Sequence, residues 1–150
     1  MCILINTINQ PNLANHYKDE QWQELLAQAN QSILLGRLNY ILKVHNIKIP
    51  SHIAWHLSSA ETIANRQKQQ IIREVLELSR SLSNINCKLS YLKGRAYIVR
   101  NIPACEGRIF SDIDVLVKKE YLSQVEFRLK MDHWLKSEID DYDELYFRKW

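Results

Sequence analysis

Glycine is nearly absent from this 150-residue chain, occurring only at Gly36, Gly94 and Gly107. Few positions therefore offer the freely left-handed backbone that stops helices, and long uninterrupted helices are the expected outcome. Hydropathy agrees over the first half. From Glu20 to about His45, Trp22, Leu25, Leu26, Ala29, Ile33 and Leu38 recur three or four apart, which predicts one face of an amphipathic helix. Pro50 breaks that pattern and Ser51 offers an N-cap. Ile53, Leu57, Ala60, Ile63, Ala64, Ile71, Val75, Leu78 and Leu82 then repeat at helical spacing, so a second long helix is predicted to end near Ser83 and Asn84.

Beyond that helix the period changes. Cys87 to Leu92 alternates polar with apolar and predicts a short strand, ended by Gly94; Arg95 to Asn101 then suits a short helix ahead of Pro103. Asp112 to Val117 reads as a second strand, Lys119 to about Trp134 as an amphipathic helix, and Tyr142 to Trp150 as a third strand or its beginning. The predicted organisation is a helical region over residues 1–84 followed by an α/β core over residues 85–150, an α+β chain.

Composition removes several classes. With 46% hydrophobic and 25% charged residues the chain is that of a folded globular protein rather than a disordered one. No apolar run approaches the roughly 20 residues of a spanning helix, and the start of the chain lacks the basic and apolar regions of a secretory signal. A cytoplasmic protein with no membrane contact is expected. Cys2, Cys87 and Cys105 form no CxxC pair, so they predict plain thiols rather than a disulfide frame or a zinc site. The formal charge of +3 is mild, but from Lys88 to Arg108 five basic residues face the single acid Glu106, a local excess of +4 that suits an anion.

The chemistry gathers where that basic stretch runs into Asp112 and Asp114. On a strand these two side chains would share one side, roughly 7 Å apart at their Cα atoms. Two hard carboxylates so placed suit Mg²⁺, which takes waters and phosphate oxygens as its remaining ligands. Gly94, flanked by Lys93 and Arg95, matches the other half of such a site, because a glycine turn lets backbone approach phosphate closely. Each feature also has a plainer explanation: acids that cap a strand, a turn that needs a positive φ, solvated charges. Arg108 has two expectations, contact with substrate or an ion pair with Asp112 or Asp114 in its absence.

Taken together, Leu92-Lys93-Gly94-x-Ala96 and Arg108-x-x-Ser111-Asp112-Ile113-Asp114-Val115-Leu116-Val117 resemble the uncharacterised nucleotidyltransferase family of the polymerase-beta-like superfamily. The helical first part, with Trp22 near its start, is similar too. The resemblance implies a mixed sheet with flanking helices, incomplete at the C-terminal end. It implies a two-metal Mg²⁺ site on Asp112 and Asp114, and nucleotide contacts from Lys93, Gly94, Arg95, Arg108 and Ser111. It implies transfer of an NMP group from an NTP to an acceptor hydroxyl on a small molecule, a protein or an RNA end. Relatives supply a third carboxylate from a later strand. Asp140, Asp141, Asp143 and Glu144 look like a solvated turn rather than its replacement. The alternative from another class is a shortened, inactive relative that binds a nucleotide or a protein partner. His52 and His56 have the i, i+4 spacing of a helical metal pair but no third ligand nearby in sequence, and they are read as helix-surface or half-buried histidines. The four tryptophans, Trp22, Trp55, Trp134 and Trp150, are read as core or interface.

Overall fold

The computed structural model describes residues 2–110 and 112–134. Helix α1 (Ile3–Asn9) and a 3-10 turn at Pro11–His16 lead into α2 (Asp19–Gln31), α3 (Leu35–Val44) and α4 (Ser51–Ser81). Strand β1 (Ser90–Tyr91), α5 (Lys93–Val99), a 3-10 turn at Pro103–Cys105, β2 (Val115–Leu116), a further 3-10 turn at Lys119–Tyr121 and α6 (Leu122–Met131) follow. The strands pair antiparallel in a two-stranded sheet, so the chain is α+β. The expected third strand over Tyr142–Trp150 and the acids Asp140, Asp141, Asp143 and Glu144 lie outside the described residues.

The predicted single helix from Glu20 to His45 is two helices. α2 starts where the Gln21 side chain accepts the Lys18 N–H at 3.0 Å, with Asp19 and Glu20 in the first turn complementing the helix dipole. It stops because Ile33 turns left-handed (φ 56°), which lets the Leu34 N–H return to the Ala29 carbonyl at 2.8 Å. Ile33, expected in the apolar stripe, is consequently 63% exposed. α4 is the long helix predicted after Pro50. Its first amides, from Ile53 and Ala54, bond the Pro50 carbonyl, and Ser51 is the first helical residue rather than the cap. Of its predicted inward residues, Ile53, Leu57, Ala64, Ile71 and Leu78 are buried while Ile63 faces out.

By compactness the chain forms two units, Met1–Arg73 with Tyr91–Asp114, and Glu74–Ser90 with Val115–Trp150. The first unit holds the main core: Ile3 and Leu4 of α1, Trp22, Leu25 and Ala29 of α2, Leu38 and Leu42 of α3, and Ile53 and Leu57 of α4. Each large apolar side chain so buried contributes about 1.5–3 kcal/mol. Trp22 packs edge-on against Tyr17 at 6.0 Å between ring centroids, as a core tryptophan should, whereas Trp55 is 59% exposed and stacks on His56. α1 is pinned by the Gln28 side chain, which accepts from the Leu4 N–H at 3.1 Å. In the second unit Leu78, Leu82 and Val125 are buried, and Arg128 Nε donates to the Ser81 carbonyl at 3.1 Å.

Both predicted strands shorten. Cys87–Leu92 contracts to Ser90–Tyr91 and Asp112–Val117 to Val115–Leu116. One ladder is cut by the turn at Lys93. In the other, Asp112, Ile113 and Asp114 form the approach to β2 rather than part of it, in keeping with the poor strand propensity of aspartate. The three cysteines are free thiols, and no described helix is long and apolar enough to cross a membrane.

Candidate active site

Next to the short sheet, the Leu92 N–H donates to the Asp114 carbonyl at 3.0 Å, which sets the register of the turn that follows β1 against the approach to β2. Lys93, one residue on, is the first residue of α5 and has φ 51°. A left-handed lysine costs about 1–2 kcal/mol, so its surroundings must hold it there. Its ammonium lies 3.0 Å from Asp114 Oδ2, with the lysine side chain 74% exposed and the aspartate 25%.

The positive φ that Gly94 was one candidate for thus falls on Lys93 instead. Gly94, the second residue of α5, is glycine for another reason: a Cβ there would stand 2.2 Å from Phe110 Cε1 and 2.4 Å from Cδ1. The phenyl ring rests directly on the glycine backbone. Above that ring lies Arg108, its guanidinium carbon 5.3 Å from the centroid, a cation–π contact. Arg95 is only 3% exposed and Asp112 is exposed. Ser111 lies outside the described residues. Lys93, Gly94 and Asp114 are therefore brought together, with Arg108 joined to them through Phe110.

Phe110 escapes sequence reasoning, and so does the strap that holds its loop. Arg37 Nη1 donates to the carbonyls of Pro103 at 2.8 Å and Glu106 at 3.3 Å. The Phe110 N–H donates to Gln67 Oε1 at 3.4 Å, and Lys68 pairs with the Glu106 carboxylate. Gly36 and Gly107 meet backbone to backbone: a Cβ on Gly107, whose φ is +69°, would stand 2.2 Å from the Gly36 carbonyl oxygen. The hydrogen bond that the Lys68 ammonium donates to Glu106 raises the Lys68 pKa, against the opposing effect of burial. Burial likewise pushes the adjacent Cys105 thiol up, with Lys68 opposing. These partners lie 37 to 71 residues apart along the chain, a separation no local pattern reports.

The donor set suits a hard divalent cation, since Asp112 and Asp114 offer carboxylate oxygens and Asp114 already carries a cation, the Lys93 ammonium. Among the described residues no group of three or more His, Cys, Asp or Glu gathers as a metal cage, so waters and phosphate oxygens would have to complete the shell. His52 and His56 are engaged elsewhere: His52 Nε2 meets Asp19 Oδ1 at 2.5 Å, and His56 stacks on Trp55.

A family model described as uncharacterised nucleotidyltransferase matches residues 18–149. No curated protein and no solved structure matches the chain.

Proposed function

This chain belongs to the uncharacterised nucleotidyltransferase family, and on that footing we propose that it is a Mg²⁺-dependent enzyme moving an NMP group from an NTP to an acceptor hydroxyl. The observation that carries the proposal is the meeting of the Lys93–Gly94 turn with Asp114, through the Leu92–Asp114 backbone bond and the Lys93–Asp114 ion pair. An anion-binding turn and a metal-binding acid are the two parts such a reaction needs at one place.

Asp112 and Asp114 would hold the metal. Bound there, Mg²⁺ supplies charge neutralisation on the phosphates and a Lewis acid for the attacking and leaving oxygens. Lys93, exposed at the same turn, is assigned to the triphosphate. Arg108 reaches the nucleotide from above Phe110. Arg95, buried in α5, and Ser111 are assigned to the nucleotide side of the site by the family resemblance alone. In the reaction the acceptor oxygen bonds to the α-phosphorus, pyrophosphate leaves, and the hydroxyl proton passes to a base. That base would be a third carboxylate, as the family resemblance implies. The polymerase-beta-like sheet is the architecture this assignment extends to.

The test is calorimetric titration of ATP, GTP, CTP and UTP, with Mg²⁺, into the chain and into the Asp112→Asn, Asp114→Asn double variant. Metal-dependent binding that disappears in the double variant is expected. Equal binding by both proteins, or none by the folded wild type, would remove the site.

A further inference from the structure

We infer that Lys93 is a placeholder cation: its ammonium neutralises Asp114 until a divalent metal displaces it, and the released ammonium then closes on the nucleotide phosphates. The inference rests on the metal and nucleotide assignments above and adds the order in which one side chain serves both. Three observations carry it. The Lys93 ammonium sits 3.0 Å from Asp114 Oδ2, one of the two carboxylates that would ligate the metal, so the same oxygen cannot be paired fully with both. Lys93 holds this place from a left-handed backbone, φ 51°, a conformation an L-residue keeps only when its surroundings impose it. The turn is fixed on both sides, by the Leu92 N–H on the Asp114 carbonyl and by Gly94 against the Phe110 ring. The lysine side chain itself is 74% exposed on its flexible stem.

The exchange works because the partners differ in strength. A partly exposed lysine–carboxylate pair is weakly stabilising, whereas a divalent ion held by Asp112 and Asp114 would meet two negative charges and could take phosphate oxygens as further ligands. Lysine suits the part better than arginine, being a compact charge on a four-carbon stem with no planar fork to satisfy. Held at Asp114 without metal, it neutralises that carboxylate. Once displaced, it stands one residue from the glycine turn, within reach of the anion it is expected to bind.

The signature is an effect whose sign reverses between metal alone and metal with nucleotide. Mn²⁺ is titrated into the full chain without nucleotide and followed by the Mn²⁺ electron paramagnetic resonance signal. Lys93→Met and Lys93→Gln should bind Mn²⁺ roughly 1.5- to fivefold more tightly than wild type, the range set by an exposed ion pair. In an Asp114→Asn background the same substitutions should change nothing. Mg²⁺–ATP at saturating Mg²⁺ should bind the Lys93 variants more weakly than wild type. In the wild type the Lys93 Cε resonance should move on addition of Mg²⁺ alone.

Asp114-dependent Mn²⁺ binding that Lys93→Met leaves unchanged or weakens overturns the inference while the metal site stands. A Lys93 effect of equal size in the Asp114→Asn background also overturns it, since the lysine would then act as a general surface charge. Absence of Mn²⁺ binding in every folded variant overturns both the inference and the metal assignment beneath it.

Discussion

A methyl group at position 94 would occupy space now filled by the edge of Phe110, 2.2 Å from its nearest ring carbon. The ring has little room to withdraw, because its own amide is held by Gln67 and Arg108 lies over the ring. Gly94→Ala therefore combines the usual gain of alanine in a helix, up to about 1 kcal/mol, with an overpacking cost of about 1–3 kcal/mol. A net loss of about 1–2 kcal/mol in urea unfolding is expected. Shortening the ring should relieve it, so Gly94→Ala made on top of Phe110→Leu should cost less than half as much. Equal cost in the two backgrounds would mean that the glycine answers to something other than this ring. The same geometry bears on chemistry, since glycine here secures the approach of an aromatic side chain and the neighbouring Lys93 carries the unusual dihedral.

Among the elements, α4 was legible from the sequence almost end to end, since proline marks its start and apolar residues return every three or four positions until Leu82. The break between α2 and α3 was not legible, because a left-handed isoleucine carries no signal: periodicity ran straight through Ile33 and counted it as core. The strands were placed correctly and drawn too long. Lys93, Gly94 and the two aspartates stand out in the sequence by their types and spacing, but Phe110, Gln67 and Arg37 do not: Gln67 and Arg37 act across separations of more than 40 residues, and Phe110 meets Gly94 only once the chain folds back on itself. The strap to α4 makes a prediction of its own. Lys68 and Glu106 are 18% and 28% exposed, so removing one charge leaves the other partly buried. Lys68→Met and Glu106→Gln should each destabilise the chain, and the double variant should lose less than their sum, with a coupling of about 1–2 kcal/mol. Four urea denaturation curves measure it, and a coupling within about 0.5 kcal/mol of zero would show the pair to be incidental.

For the molecule as a whole, the cluster of Lys68, Glu106 and Cys105 gives stability a particular dependence on pH. Both shifted groups favour their protonated forms in the folded state: the Lys68 ammonium through its hydrogen bond to Glu106, the Cys105 thiol through burial. The unfolded chain therefore releases these protons at lower pH than the folded one, from about the ordinary values of 9.0 for the thiol and 10.5 for the amine. A stability contribution raised in this way is complete below those values and fades as pH climbs through the higher folded-state values. The cluster adds no slope at neutral pH, and decline begins near pH 9 with the thiol and continues with the amine. Replacing Cys105 by alanine lowers stability at every pH by emptying a buried site, so the quantity to read is slope and not level. Urea midpoints from pH 7 to 10.5 should fall more gently above pH 9 in Cys105→Ala than in wild type, and Lys68→Met should flatten the later part while the early decline, no longer opposed by the lysine charge, stays or steepens. Parallel curves for all three proteins would mean that the loop carrying residues 103–110 is held by its backbone contacts with Arg37 and Gly36, and that its titrating side chains contribute no more than neutral ones in the same places.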